Sequence, residues 1–280
     1  MMRVSNLIKS LALLIAIVVA TVPRTQAVPP TPEAIEKWKA EGIWEQKVAN
    51  WHAFIAAGGD SPEEHSPFKQ KRMSNRMSLD AQTTDTVHVI VILVDFPDWK
   101  YDGQSVAGTP LMFDSILFSD RELDAVHNPT GSMTDFYMEN SYGTFYIKGE
   151  IFGWYEMLKT YDYYVGSDNG LSNGRILAHD AVEAAENDNV DFSKYDSDGD
   201  GYCDGVVVIH AGQGAESGVD GIWSHKSNIY PALNYDGVTI SAYTMNPEEY
   251  GSQLSPIGVC CHEYGHVLGL PDLYDIDYEP

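Results

Sequence analysis

VHVIVILVDF, residues 87–96, decides the fold. It is a run of β-branched and aliphatic residues without polar alternation, suited to a strand buried on both faces. Such a strand needs cover on each side, so helices must back the sheet. DGVVVIHAG at 204–212 reads as a second strand of the same kind. Around these strands the patterning turns helical. A short helix is expected from Leu111 to Phe118. GSMTDFYMENSYGTFYIKGEIFGWY (131–155) predicts a helix from Ser132 to Asn140, a turn at Gly143 and a strand through Ile151. An amphipathic helix from about Arg175 to Asn187 sets Ile176, Leu177, Ala181, Val182 and Ala185 on one face. A last helix opens near Pro256. Strands alternating with helices give an α+β fold, a mixed β-sheet with backing helices and no internal repeats.

The chain has three expected parts. In residues 1–27, Arg3 and Lys9 precede an apolar run from Leu11 to Ala20, and Thr25-Gln26-Ala27 offers small residues for a signal peptidase. That is a secretory signal peptide, too short to favour a membrane anchor. Residues 28–80 read as a propeptide and linker. Ile35, Trp38, Ile43, Val48 and Trp51 show helix-like spacing, Gly58-Gly59 stops it, and Lys69 to Arg76 is basic and open to cleavage. Residues 81–280 form the body, which is expected to be soluble and exported.

Charge narrows the partners. Residues 28–80 carry seven Lys/Arg against eight Asp/Glu, whereas 81–280 carry seven against thirty-three. So acidic a body repels nucleic acid and anionic membrane. The three cysteines are too few for a disulfide scaffold. Adjacent Cys260 and Cys261 cannot join without strain, so the expectation is one bridge to Cys203 and one buried thiol.

The densest chemistry lies in CCHEYGHVLGLPDLYD, residues 260–275. His262 and His266 are four apart, hence on one helix face about a turn apart. That spacing suits two neutral imidazoles binding one Zn²⁺. Glu263 follows the first histidine, placed to take a proton from a zinc-bound water that attacks a carbonyl. Catalytic zinc needs a third protein ligand. Gly269 at the helix end and Pro271 after it turn the chain sharply, which favours Asp272 over its rival Asp275.

DSDGDGYCDG at 196–205 reads as a second metal loop. Asp196, Asp198, Asp200 and Asp204 fall at positions 1, 3, 5 and 9 of an EF-hand-like loop, with Gly201 at the sharp turn and the Tyr202 carbonyl at position 7. Position 12 is Val207, so the closing ligand must come from elsewhere, Asp191 or water among the candidates. A structural Ca²⁺ fixing the entry to the following strand is the expectation. His210 and His225 read as hydrogen-bonded structural histidines, His179 as a boundary residue, and TYDYYVG (160–166) as loop packing. Nothing in the spacing selects Tyr243 or Tyr250 as an oxyanion donor.

HEYGHVLGLPDLYD resembles the HExxHxxGxxD signature of the M6 metallopeptidases, the immune inhibitor A-like secreted proteases related to the metzincins. VDFPD, VDFSKYDSDGDGYCDGVVVIHAG, IWSH and the 131–155 block resemble further family segments, so that the resemblance covers roughly residues 87 to 275. It implies a metzincin-like sheet-and-helix upper subdomain and zinc endopeptidase activity on protein or peptide substrates. It also implies secretion as a zymogen. No cysteine lies between 28 and 80 to block the zinc, which leaves a carboxylate such as Asp60 or Glu64 for that role. The family's lower subdomain, with its methionine turn, is not matched after Asp272, and Met245 cannot supply it. The chain is therefore read as truncated after the zinc motif. A catalytically silent, calcium-stabilised secreted binding protein is the alternative from another class, and hydrolysis of a non-peptide amide would use the same site.

Overall fold

The strand β1, Asp85–Asp95, lies in the interior of a sheet ordered β2-β1-β3-β5-β4. The computed structural model describes residues 29–63, 65–66, 85–103, 105–120 and 130–272. The signal peptide, the basic 69–76 stretch, Glu64 and Asp275 lie outside the described residues. β1 pairs in parallel with β2 (Phe145–Glu156) and with β3 (Val206–Gln213). β3 pairs in parallel with β5 (Val238–Tyr250), and β4 (His225–Tyr235) runs antiparallel to β5. A short β6, Gln253–Leu254, folds back on β5. The fold is α+β with a mostly parallel central sheet.

The unbroken apolar run of β1 is explained by two cores, one on each face of the sheet. Ile90, Ile92 and Val94 enter one core with Val206 and Val208. Val89, Val91 and Leu93 enter the other with Val207 and Ile209. This is the period-two alternation of a strand with both sides covered. The first core is roofed by the short α5 (Tyr161–Val165) and by α6 (Gly174–Asn187), which buries Leu177, Ala178, Ala181, Val182 and Ala185. Ile176, expected on that face, is only half buried. TYDYYVG is not loop but forms α5, capped by Thr160, with Tyr161 and Tyr164 buried. The second core is covered by α3 (Pro110–Phe118), α4 (Met133–Asn140) and α7 (Ile257–Val267). Ser132 is the N-cap of α4, and with Asp135 it makes a reciprocal capping box.

The cysteines fall on opposite faces of the sheet. Cys203 belongs to the first core and Cys260 and Cys261 to the second. All three are free and buried. The expected bridge is therefore corrected: a sheet stands between the thiols.

The leader forms two helices where one spacing pattern was expected. α1 (Pro32–Glu41) ends at Gly42, whose left-handed φ of 71° breaks the run, and α2 (Trp44–Ala56) follows. Ala34, Trp38, Trp51 and Phe54 are buried with Leu171, Ala215 and Trp223 of the body, while Ile43 is exposed. Trp38 and Trp51 lie 5.5 and 5.7 Å from Trp223, and Trp44 stacks on Trp38.

The β4–β5 hairpin turns through Asp236-Gly237, both at positive φ (51° and 85°). Asp-Gly serves this two-residue turn because both positions need the left-handed region. The hairpin makes β4 the outer strand, beside α7.

Candidate metal centre

α7 opens after Pro256 and carries His262 and His266 on one face, their ring centroids 4.9 Å apart. The helix closes in a Schellman turn. Gly269, at φ 85°, donates its N–H to His266 O at 3.0 Å, and Leu270 donates to Gly265 O at 2.9 Å. A side chain at Gly269 would strain this backbone, which explains the glycine. The turn brings Asp272 back beneath the helix. His262 Nε2 lies 3.0 Å, and His266 Nε2 3.4 Å, from the same Asp272 Oδ1. The histidines and Asp272 thus meet as their spacing predicts. Glu263, fully buried, offers a ligand atom within 4.8 Å of those of both histidines.

These residues fit a metal ion. His266 Nδ1 is 3.0 Å from Leu270 O, which orients the ring so that Nε2, the nitrogen that would ligate a metal, faces Asp272 Oδ1. A cation held between the two ring nitrogens and this carboxylate oxygen would be ligated by all three. A tetrahedral ion with ligands at about 2.0–2.1 Å has ligand–ligand edges of about 3.3 Å. The observed 3.0 and 3.4 Å match those edges. Burial alone would push the Asp272 carboxyl up, but the facing His262 and His266 rings hold it below the usual carboxylate value.

A cleft of about 400 Å³ lies beside the imidazoles, lined by Phe136, Tyr137, Gly258, Leu270 and Pro271 among others. Tyr137 is locked at its wall by donating to Cys261 O at 2.6 Å. On the core side of α7, Tyr264 donates to Asp204 O at 2.9 Å, tying the helix to the acidic loop.

In that loop Asp196, Asp198 and Asp200 converge, with ligand atoms within 4.8 Å of one another. Asp196 accepts the N–H groups of Asp200 and Gly201, both at 3.0 Å. Asp204 turns one oxygen to Ser197 N at 2.7 Å, and burial pushes its carboxyl up to about 7. Asp191 bonds Ser193 N and Oγ, as the cap of a short turn, and is not drawn into the cluster. Tyr202 stacks on His65 of the leader at 3.5 Å, and His65 Nδ1 is 3.4 Å from Asp200 Oδ2.

His210 and His225 are buried structural residues, as expected. His225 Nδ1 bonds Trp223 O at 2.7 Å and its Nε2 meets Tyr243 Oη at 3.0 Å, which occupies Tyr243. Burial holds both imidazoles down to about 4. His179 is half exposed beside Asp180, 3.4 Å away, at the boundary where it was expected.

Sequence reasoning missed Lys226. Its Nζ is almost fully buried and donates to Glu63 Oε2 at 2.7 Å, Ser61 O at 3.0 Å and Asn228 Oδ1 at 3.1 Å. Burial pushes the Glu63 carboxyl up, but Lys226 and the bonds from Lys226, Asn228 and the His65 N–H outweigh it and leave it below normal. A signal was present: Lys226 is the sole Lys or Arg between 195 and 280. The leader backbone reaches the centre too, because Glu63 N donates to His266 O at 3.0 Å.

Residues 75–280 match the family described as "Immune inhibitor A peptidase M6, catalytic domain". The chain is 30% identical over 249 residues to the "Pre-pro-metalloprotease PrtV" of Vibrio cholerae serotype O1, covering 72% of this chain and 26% of that protein. It is 31% identical over 259 residues to "Immune inhibitor A" of Bacillus thuringiensis subsp. alesti, covering 76% of this chain and 36% of that protein. The chain thus spans about a quarter to a third of the length of these relatives. With a match over most of its body, and a histidine–carboxylate centre of the kind a metalloprotease needs, the chain belongs to the M6 peptidase family.

Proposed function

We propose that this chain is the precursor form of a secreted zinc metalloendopeptidase that hydrolyses peptide bonds in protein substrates. The observation that carries this reading is the pair of imidazole nitrogens facing one buried carboxylate oxygen at tetrahedral-edge distances. His262, His266 and Asp272 are the zinc ligands. Zinc bound there supplies a Lewis acid that brings a water towards neutral pKa and polarises a carbonyl. Glu263, held rigid in the helix, accepts the water's proton as attack proceeds and delivers it to the departing amine. The neighbouring cleft gives a substrate side chain room. In finer terms the sheet and α7 are read as the upper half of a metzincin-like catalytic domain. Residues 1–27 are read as a signal peptide and 28–80 as a propeptide with its linker. The Vibrio relative is called a pre-pro-metalloprotease, which supports that division. Secretion accords with the leader, and no helix among the described residues is long and apolar enough to cross a membrane.

The test is metal analysis followed by assay. Purified chain should hold one zinc, and His262→Ala should weaken its hold by at least about 100-fold, because two ligands cannot complete the site. Zinc retained in full by that variant would sink the ligand assignment. Casein hydrolysis by the processed protein then tests the enzymatic reading.

Asp196, Asp198, Asp200, Asp204 and the Tyr202 carbonyl are proposed to hold a structural Ca²⁺. Through Tyr264 and Asp204, that ion would brace α7. Calcium at about 100 times its dissociation constant should stabilise the fold by about 2.7 kcal/mol. Asp196→Asn should remove most of that gain in a thermal melt; an unchanged gain would assign the calcium elsewhere.

A further inference from the structure

We propose that Lys226 is the residue by which the outer edge of β4 recognises an acidic side chain, and that Asp60–Glu63 of the leader fills that position as an internal competitor for acidic peptides. This rests on the protease reading above and names the substrate chemistry of the same site.

β4 is the outer strand of the sheet, so its free edge can take an extended peptide. At Lys226 that edge is taken. Asp60 donates its N–H to Lys226 O at 2.8 Å, and Lys226 donates its N–H to Asp60 Oδ1 at 2.6 Å. The leader therefore sits where a substrate strand would pair. Three residues on, Glu63 places its carboxylate on the Lys226 ammonium at 2.7 Å and accepts from Asn228 Nδ2 at 3.2 Å. Lys226 and Asn228 are two apart on one strand, hence on one face, and Asn228 is held in place by Ser241 Oγ at 3.0 Å. Together they form a prebuilt carboxylate receptor. Its position relative to the metal centre is set by the bond from Glu63 N to His266 O, since His266 is a proposed zinc ligand.

The charge of the chain makes this receptor selective. At a net charge of −24, a lone lysine buried to 1% exposure needs a carboxylate as neighbour. The ammonium's three protons are met by Ser61 O, Glu63 Oε2 and Asn228 Oδ1, and two of those acceptors leave with the leader. A peptide entering along β4 restores them only if it brings a backbone carbonyl and an acidic side chain. A neutral side chain leaves the cation unmatched. The leader's own hold is imperfect, because Asp60 Oδ2 is buried without a hydrogen bond. That suits an occupant that must later leave.

Backbone amide exchange on the full chain tests this, with and without zinc. Glu63→Gln should raise exchange at the Lys226 N–H by at least about tenfold, with the β3 amides unchanged. The peptide GGDSPEEHS, residues 58–66, added in excess should restore protection at Lys226 in that variant. The same peptide with glutamine at its sixth position should not, and Lys226→Met combined with Glu63→Gln should abolish the rescue. Asn228→Ala is the milder second variant: it removes one acceptor from the ammonium and one donor to the carboxylate, and should weaken the rescue while the lysine charge stays in place. Unchanged exchange in Glu63→Gln, or equal rescue by both peptides, would overturn the proposal. Failure of hydrolysis with this binding pattern intact would instead count against the protease reading.

Discussion

Glu263→Gln should leave the zinc content unchanged and cut peptide hydrolysis by the processed enzyme about 10²–10⁴-fold, the range a lost general base accounts for. The substitution keeps the volume of a side chain that is fully buried. It removes a basic oxygen and nothing from His262, His266 or Asp272, so a metal assay separates base from ligand. Stability is a further control: replacing a buried carboxylate by its amide removes a desolvated charge and should not loosen α7. Zinc lost along with activity would make Glu263 a ligand and leave the base unassigned. Activity retained would place the base elsewhere.

The second large effect is in stability, which should fall by about 2 kcal/mol between pH 6.5 and pH 8. Glu248 is buried on the sheet, accepting N–H groups from Gly108 at 2.8 Å and Gly212 at 3.2 Å. Burial first, and then Glu249 and Asp95, push its carboxyl up to about 8 against the opposing hydrogen bonds. A carboxyl raised on folding is protonated in the folded state and ionised in the unfolded one across this window. The folded state binds more protons, so stability drops as pH rises. His210 and His225 work the other way, but only in acid. Held at about 4, they stay neutral in the fold while the unfolded chain takes up protons below about 6.5, so their contribution is lost between those values. Above pH 6.5 they no longer offset Glu248. Urea melts should show the decline in the parent and a much smaller one in Glu248→Gln, the remainder coming from Asp204, which burial raises to about 7. A decline that persists undiminished in the variant would assign it to other groups.

The buried strands and the metal helix were legible because each carries its cause locally. VHVIVILVDF needs two covered faces, and HEYGH followed by a glycine turn needs only helical geometry to bring its histidines and Asp272 together. Asp272 was readable for the same reason, since the Schellman turn at Gly269 is itself a sequence signal. The β4–β5 hairpin was not read, although Asp236-Gly237 between Tyr235 and Val238 is the local mark of one. The strands on either side carry polar residues such as Asn228, Asn234 and Thr239 that blur the alternation. Lys226 and its partners were beyond reach for another reason. Glu63 and Lys226 are 163 positions apart, and pairing across that distance is decided by where the leader docks. The break of the leader into two helices has the same origin: Trp38 and Trp51 face Trp223 because a surface of the body receives them, whereas spacing alone also admitted Ile43.

That tryptophan seam has an optical consequence. Four of the six indoles in the chain, Trp38, Trp44, Trp51 and Trp223, sit where the leader meets the body. The protein's ultraviolet emission is therefore weighted towards a single contact. Departure of the leader would wet those rings together while Trp99 and Trp154 kept their surroundings. If residues 28–80 are removed as the proposed propeptide, their release would be visible as a red shift in the intrinsic glow of the unlabelled chain.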